Sequence, residues 1–371
     1  MLISFILGTY GEKGETMDRR LFLTASAATA TAAAAKAVAA TLPPMSETGV
    51  TLHATGDLAL PLGPLPGSRY PDPHIEVIDK ARFKGSPGTG GVERVATGFR
   101  WAEGPAYFRG GRYLIFSDIP NNRMIRILED DNHMSVFRSP SYNSNGNTTD
   151  REGRLVTCEH GGRRVTRTEP DGTITIIADR YNGKRFNSPN DVVVASDGAI
   201  WFTDPSYGIM GNYEGVKSEQ EQPGHYVYRV DGQNGNITMV ADDFKQPNGL
   251  SFGHDEKKLY IIDSELQHIR VFDVDVPGGK ISNGKMFVEK VATDGIRADT
   301  DGNLWFSIGW GDPKDDGVHC YSPGGDLLGK IHVPETVANL VFGGLLRNRL
   351  YICASTSLYA CYVSTQGAAK P

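Results

Sequence analysis

A chain of 371 residues with 39% hydrophobic and 22% charged side chains can bury a sizeable core and lacks the composition of a disordered chain. Its 38 basic and 44 acidic residues leave a formal charge of −6, and no basic stripe with interleaved aromatics is present, which speaks against a nucleic-acid partner. Glycine (44) and proline (21) are plentiful, as suits a chain that turns often.

In chain order, the first segment stands apart from any fold. Asp18-Arg19-Arg20-Leu21-Phe22-Leu23 precedes an alanine-rich apolar run that closes on Lys36 and Ala37-Val38-Ala39, a small-x-small cleavage pattern. Residues 1–40 therefore read as a twin-arginine-type export signal, with Met17 as an alternative start, and place the mature protein in the periplasm or outside the cell. The run is too short and too rich in Ala and Thr to hold a bilayer, so no membrane span is expected in the mature chain. Residues 41–91, rich in proline and glycine with little periodicity, read as an extended arm lying on the main domain. Their glycine-rich stretch, 85–91, has no strand before it and no Lys-Ser/Thr after it, so it is not a phosphate loop.

Residues 92–367 carry a repeat. Glu103-Gly104-Pro105 leads to Asp118, Asn145-Gly146 to Glu159, Asn190-Asp191 to Asp204, Asn248-Gly249 to Asp263, Asp294-Gly295 to Ile308, and Asn339-Leu340 to Ala354, each interval 14 or 15 residues. The copies recur 42 to 58 residues apart, near the period of four-stranded propeller blades. Inside the third copy, Val192-Val193-Val194 gives way to the hairpin signal Ser196-Asp197-Gly198 and then to Ala199-Ile200-Trp201-Phe202-Thr203. Two further strand-like runs follow, Tyr226–Val230 and Ile237–Val240. Four strands in each of six copies predict an all-β fold, a six-bladed β-propeller of four-stranded antiparallel blades with an N-terminal extended arm.

The innermost strand of each blade lines the channel, so the first residues of the six copies should converge at one end of the axis. They are Glu103, Asn145, Asn190, Asn248, Asp294 and Asn339. Asn and Asp also favour strand entries for backbone reasons alone, but Glu103 is a poor turn residue and takes the same place. An oxygen-rich set with two carboxylates and no Cys or His describes a hard-cation site, with Ca²⁺ first and Mg²⁺, Mn²⁺ or Zn²⁺ as alternatives.

Glu103-Gly104-Pro105, Cys158-Glu159-His160-Gly161, Asn187-Ser188-Pro189-Asn190-Asp191, Phe202-Thr203-Asp204-Pro205, Pro247-Asn248-Gly249-Leu250 and Asp294-Gly295 resemble, in order, the gluconolactonase, senescence-marker-protein and luciferin-regenerating-enzyme family. The resemblance runs from about Arg94 to Tyr362. It implies a six-bladed propeller with one divalent metal at the channel mouth, in a family many of whose members hydrolyse sugar lactones. By the same resemblance Glu103, Asn190, Asn248 and Asp294 form the metal shell, Asn190 through a water. Asp294 is the candidate general base, and Asn145, His160, Asn190 and Asn339 face the substrate. Thr293 stands where the family has proline, and Ser188 where its animal members have a substrate-binding arginine, so those members are a poor guide to this chain's substrate.

Such a site can polarise a lactone carbonyl for attack by water, with Asp294 orienting that water and taking its proton. Other patterns carry less. Asp204 ends the second strand of its copy and reads as structural. Gly249-Leu250-Ser251-Phe252-Gly253 fits a nucleophile-elbow spelling but has no helix after it. Cys158, Cys320, Cys353 and Cys361 form no Cys-x-x-Cys, and only Cys353 and Cys361 fall on adjacent strands where a disulfide is conceivable. Trp201, Trp305, Tyr260 and Tyr351 read as core between blades. Two functions from different classes follow: a metal-dependent lactone hydrolase, with esterase or phosphotriesterase variants, or a binding module whose ion is a structural plug.

Overall fold

Each of the six copies folds into one four-stranded antiparallel sheet, and the six sheets form a β-propeller. The computed structural model describes residues 69–368; the expected export signal and the first part of the arm lie outside them. The innermost strands, Ala102–Phe108, Ser144–Thr149, Val192–Val194, Pro247–Phe252, Thr293–Ala298 and Val337–Gly343, neighbour one another in sequence order, and the last returns to the first.

Burial explains the composition of each layer. The second strands, such as Ile200–Asp204, Leu304–Ile308 and Arg349–Ala354, are buried along their whole length because a neighbouring blade covers each face. The outermost strand of the fourth blade, Lys280–Glu289, is mostly exposed and correspondingly polar. The core is thus a set of layers between blades. Trp201 packs between the third and fourth blades, Tyr260 between the fourth and fifth, Trp305 between the fifth and sixth, and Tyr351 between the sixth and first, as their place in the repeat predicts. Ile352, fully buried between the fifth and sixth blades, sets a scale. Ile352→Val should cost about 1 kcal/mol in denaturant unfolding, against no measurable change for the half-exposed Ile176→Val.

Two strands come from the segment before the repeats. The sixth copy ends after Ser357–Tyr362, and its outermost strand is Glu93–Thr97, paired Glu93 to Ala360 and Thr97 to Ser357, which closes the ring. Within the expected arm, Ile75–Val77 adds a fifth strand to the fifth blade, with Ile75 opposite Ile331. All four cysteines are buried and unpaired. Register explains why Cys353 and Cys361 do not join: Cys353 lies opposite Leu358 and Cys361 opposite Leu350, and they face different blade interfaces. Among the described residues no helix is long and apolar enough to cross a membrane.

Candidate functional site

The six first residues stand at the entry of the innermost strands, and a shared backbone device aims them. In five of the six strands the pairing with the second strand slips at this point, between Glu103 and Ala106, Ser144 and Asn147, Pro247 and Leu250, Thr293 and Ile296, and Val337 and Asn339. Such a bulge bends the strand and re-aims a side chain. In the third blade Asn190 lies just ahead of its strand, its N–H donating to Thr203 O at 2.9 Å and its carbonyl accepting from Gly146 N at 2.8 Å.

The glycine that follows four of these residues has a steric cause. A Cβ on Gly104 would lie 1.9 Å from Asn145 O, on Gly146 2.4 Å from Asn190 O, on Gly249 2.2 Å from Asp294 O, and on Gly295 2.6 Å from Asn339 Cγ. Each glycine thus lets one spoke approach the backbone or side chain of the next. The aspartates that end the second strands hold the same end from behind. Asp204, fully buried, accepts from Asn187 N and Ser188 N at 2.9 Å each, Asp263 from Lys245 N and Gln246 N, and Asp118 from Arg100 N at 3.0 Å. Asp204 is therefore structural, as its position suggests. Ser251 sits on an innermost strand and donates to Phe252 O at 3.0 Å, with no helix after it, so it is not an elbow nucleophile.

At the mouth, Glu103 Oε2 accepts from Asn339 Nδ2 at 3.1 Å and from Gly104 N. Asn339 Oδ1 accepts from Leu340 N at 2.9 Å, so its amide is held on both sides and fixes Glu103. Asn248 Nδ2 donates to Ser264 Oγ at 3.0 Å, and Ser264 in turn to Thr293 O at 2.9 Å, while Asn248 Oδ1 is buried with no hydrogen-bond partner. Asn145 Oδ1 is orphaned in the same way. Five of the six side chains are buried; Asp294 alone is partly exposed.

His160 is fully buried beside this set. Its Nδ1–H donates to Glu214 O at 3.0 Å, which leaves Nε2 to accept from Asn145 Nδ2 at 3.1 Å. Burial lowers its pKa from 6.5 to about 4, so the folded protein holds it neutral where the unfolded chain would bind a proton. Its contribution to stability is full above pH 6.5 and is lost as pH falls toward 4, by on the order of 2–3 kcal/mol. His160→Gln should flatten this acid limb in denaturation curves between pH 6.5 and 4; an unchanged limb would assign it to other groups.

The carboxylates are under strain of charge. Burial, then repulsion from Glu103, Glu214 and Asp191, pushes Asp294 well above the carboxylate range. Burial and then Asp191 push Glu103 up to about 8, against the pull of Gly104 N–H, Asn339 and Arg297. A divalent cation fits this arrangement: it would relieve both carboxylates and take the orphaned Asn248 Oδ1 as a donor. Among the described residues no three His, Cys, Asp or Glu side chains are grouped to hold an ion, so such a shell depends on the asparagines.

The segment between the second and third strands of the third blade roofs the mouth. Its single helical turn, Tyr207–Met210, packs Gly208 on His160, where a Cβ would lie 2.5 Å from the ring-bearing carbon. Burial and the charge of Asp294 raise the Tyr207 phenol, which lies within hydrogen-bonding reach of Ser264. Trp310 is 68% exposed, its ring 5.2 Å from that of Trp101. Ser264 and Glu214 were not legible as site residues: Ser264 directly follows a strand-ending aspartate, and Glu214 lies in a loop with no periodicity.

Residues 101–356 match the model of the SMP-30/Gluconolactonase/LRE-like region. The chain is 30% identical over 303 residues to a gluconolactonase of Zymomonas mobilis, covering 74% of this chain and 82% of that protein. It superposes on the structure of a gluconolactonase of Xanthomonas campestris with a TM-score of 0.72 and 33% identity, covering 78% of this chain and 94% of that one. A regucalcin of Agrobacterium tumefaciens, a calcium-binding protein, shares the fold with a TM-score of 0.61 at 17% identity, over 74% and 94% of the two chains.

Proposed function

Because the chain belongs to the SMP-30/gluconolactonase/LRE-like family, we propose that it is a lactone hydrolase that opens a sugar-type lactone with the help of a divalent cation at the channel mouth. The observation that carries this reading is the convergence of Glu103 and Asp294, both pushed toward their neutral forms, with the unpartnered Asn248 Oδ1 at one end of the axis. Glu103, Asn190, Asn248 and Asp294 would hold the ion, and the all-oxygen donor set favours Ca²⁺. The chemistry that such an ion supplies when bound is polarisation of an ester carbonyl and stabilisation of the charge that develops on its oxygen.

The chain's own residues do the rest. Asp294, the partly exposed member of the set, orients a water toward the lactone carbonyl carbon and takes its proton. The ring C–O bond then breaks, the proton passes to the ring oxygen, and a hydroxy acid leaves. Asn339 acts by fixing Glu103. The neutral His160, donating to Glu214 O, offers its Nε2 only as an acceptor, and so turns the Asn145 amide so that Oδ1 points elsewhere, toward the substrate. Tyr207 and Trp310 limit how much water reaches the mouth. Residues 1–40 would deliver the protein to the periplasm or beyond.

The test is pH-stat hydrolysis of glucono-1,5-lactone by the mature chain, with chelator and with Ca²⁺ restored, after subtraction of spontaneous opening. Turnover lost with chelator and regained with the ion supports the reading. An inert protein across a panel of lactones, with esters and phosphotriesters as further arms, would overturn it and favour a binding role for the propeller.

A further inference from the structure

A cavity of about 590 Å³ lies at the other end of the channel. It is lined by the far halves of all six innermost strands, from Pro105–Tyr107 to Val341–Phe342, and by none of the six mouth residues. Its volume falls in the range of small-molecule sites. In a chain with a net charge of −6, five basic side chains line it against three carboxylates.

Those cations are placed from different sides. Arg109 follows the innermost strand of the first blade, and Arg347 sits at φ 54 in the turn after that of the sixth. They stand close enough that, after burial, the charge of Arg109 is what lowers the Arg347 guanidinium. Arg151 enters from the opposite wall, its Nη2 donating to Glu256 at 2.7 Å and to Val194 O at 3.2 Å. Arg297 forms the floor, its Nη1 donating to Asp191 Oδ2 at 3.2 Å. Phe252, Val276 and Phe342 give the same cavity an apolar wall. Converging guanidinium groups with an apolar face describe a receptor for an anion that carries a carbon skeleton.

We propose that this cavity is a second ligand site, distinct from the hydrolytic mouth, for a sugar-sized organic anion bearing a carboxylate or a phosphate. The inference does not depend on what the opposite mouth hydrolyses.

Isothermal titration of gluconate and of glucose 6-phosphate into the mature chain tests it, with glucose as the uncharged probe. At least one anion should bind with a Kd below about 1 mM, glucose should not, and the affinity should fall at least about tenfold in R109Q/R347Q. Arg109→Gln alone, at an exposed position that leaves the fold intact, should already weaken binding about threefold. The anion that binds more tightly identifies the charged group. Absence of binding by both anions, equal binding of glucose, or an affinity unchanged in both variants would overturn the proposal.

Discussion

Asp294→Asn should reduce lactone turnover by at least about a hundredfold in the pH-stat, with little change in the melting temperature of the metal-free protein. The substitution keeps the shape of the side chain and its reach to Asn248, but removes a charge from the set and, among the six strand entries, the partly exposed carboxylate proposed to accept the proton. Because burial and the neighbouring acids already press Asp294 toward neutrality, the amide should be well tolerated by the fold itself. Full activity in this variant would place proton transfer elsewhere; loss of activity together with loss of the fold would make Asp294 a structural residue.

Gly104→Ala should destabilise the protein by about 4 kcal/mol, read as a lower denaturant midpoint. Two penalties meet at this position: φ is +53, where side chains are strained, and a Cβ would sit 1.9 Å from the carbonyl oxygen of Asn145 on the next blade. Neither penalty can relax cheaply, because the obstructing atom is backbone. Gly110→Ala is the internal comparison, since nothing lies within 4 Å of its added carbon and its φ is not positive. It should change stability by no more than about 0.5 kcal/mol. A Gly104→Ala protein as stable as the Gly110→Ala one would mean that the inner strands are not as tightly apposed as the structure has them.

The repeat was legible because its chemistry is local. A spoke residue, often a glycine after it, a hairpin turn and, in the first four copies, a strand-ending acid fall within 14 or 15 residues, and each is there for a reason that acts over that distance: bulge, close approach, turn and clamp. The exceptions make the same point. Asn190-Asp191 and Asn339-Leu340 lack the glycine, and it is Asp191 whose side chain instead bonds Arg297 across the channel.

What escaped the sequence was pairing over long range. Glu93–Thr97 is only five residues long, with Val95 and Ala96 adjacent and no alternation, and nothing in it says that its partner is Ser357–Tyr362 at the other end of the chain. Ile75–Val77 is shorter still, inside a stretch whose prolines and glycines suggested only an extended arm. The mouth was legible in its spokes but not in its supports. Ser264 and Glu214 gain their places from the fold alone, and the far cavity consists of side chains that carry no pattern when read along the chain.

The central claim is that four of the six strand entries, Glu103, Asn190, Asn248 and Asp294, would build one cation site, and titration of Ca²⁺ into the metal-stripped mature chain tests it most directly. One ion per chain, with affinity at least about a hundredfold weaker in Glu103→Gln and in Asp294→Asn, is the predicted result. No heat of binding, or an ion bound equally well by both variants, would contradict the claim and move any metal in this protein to another place.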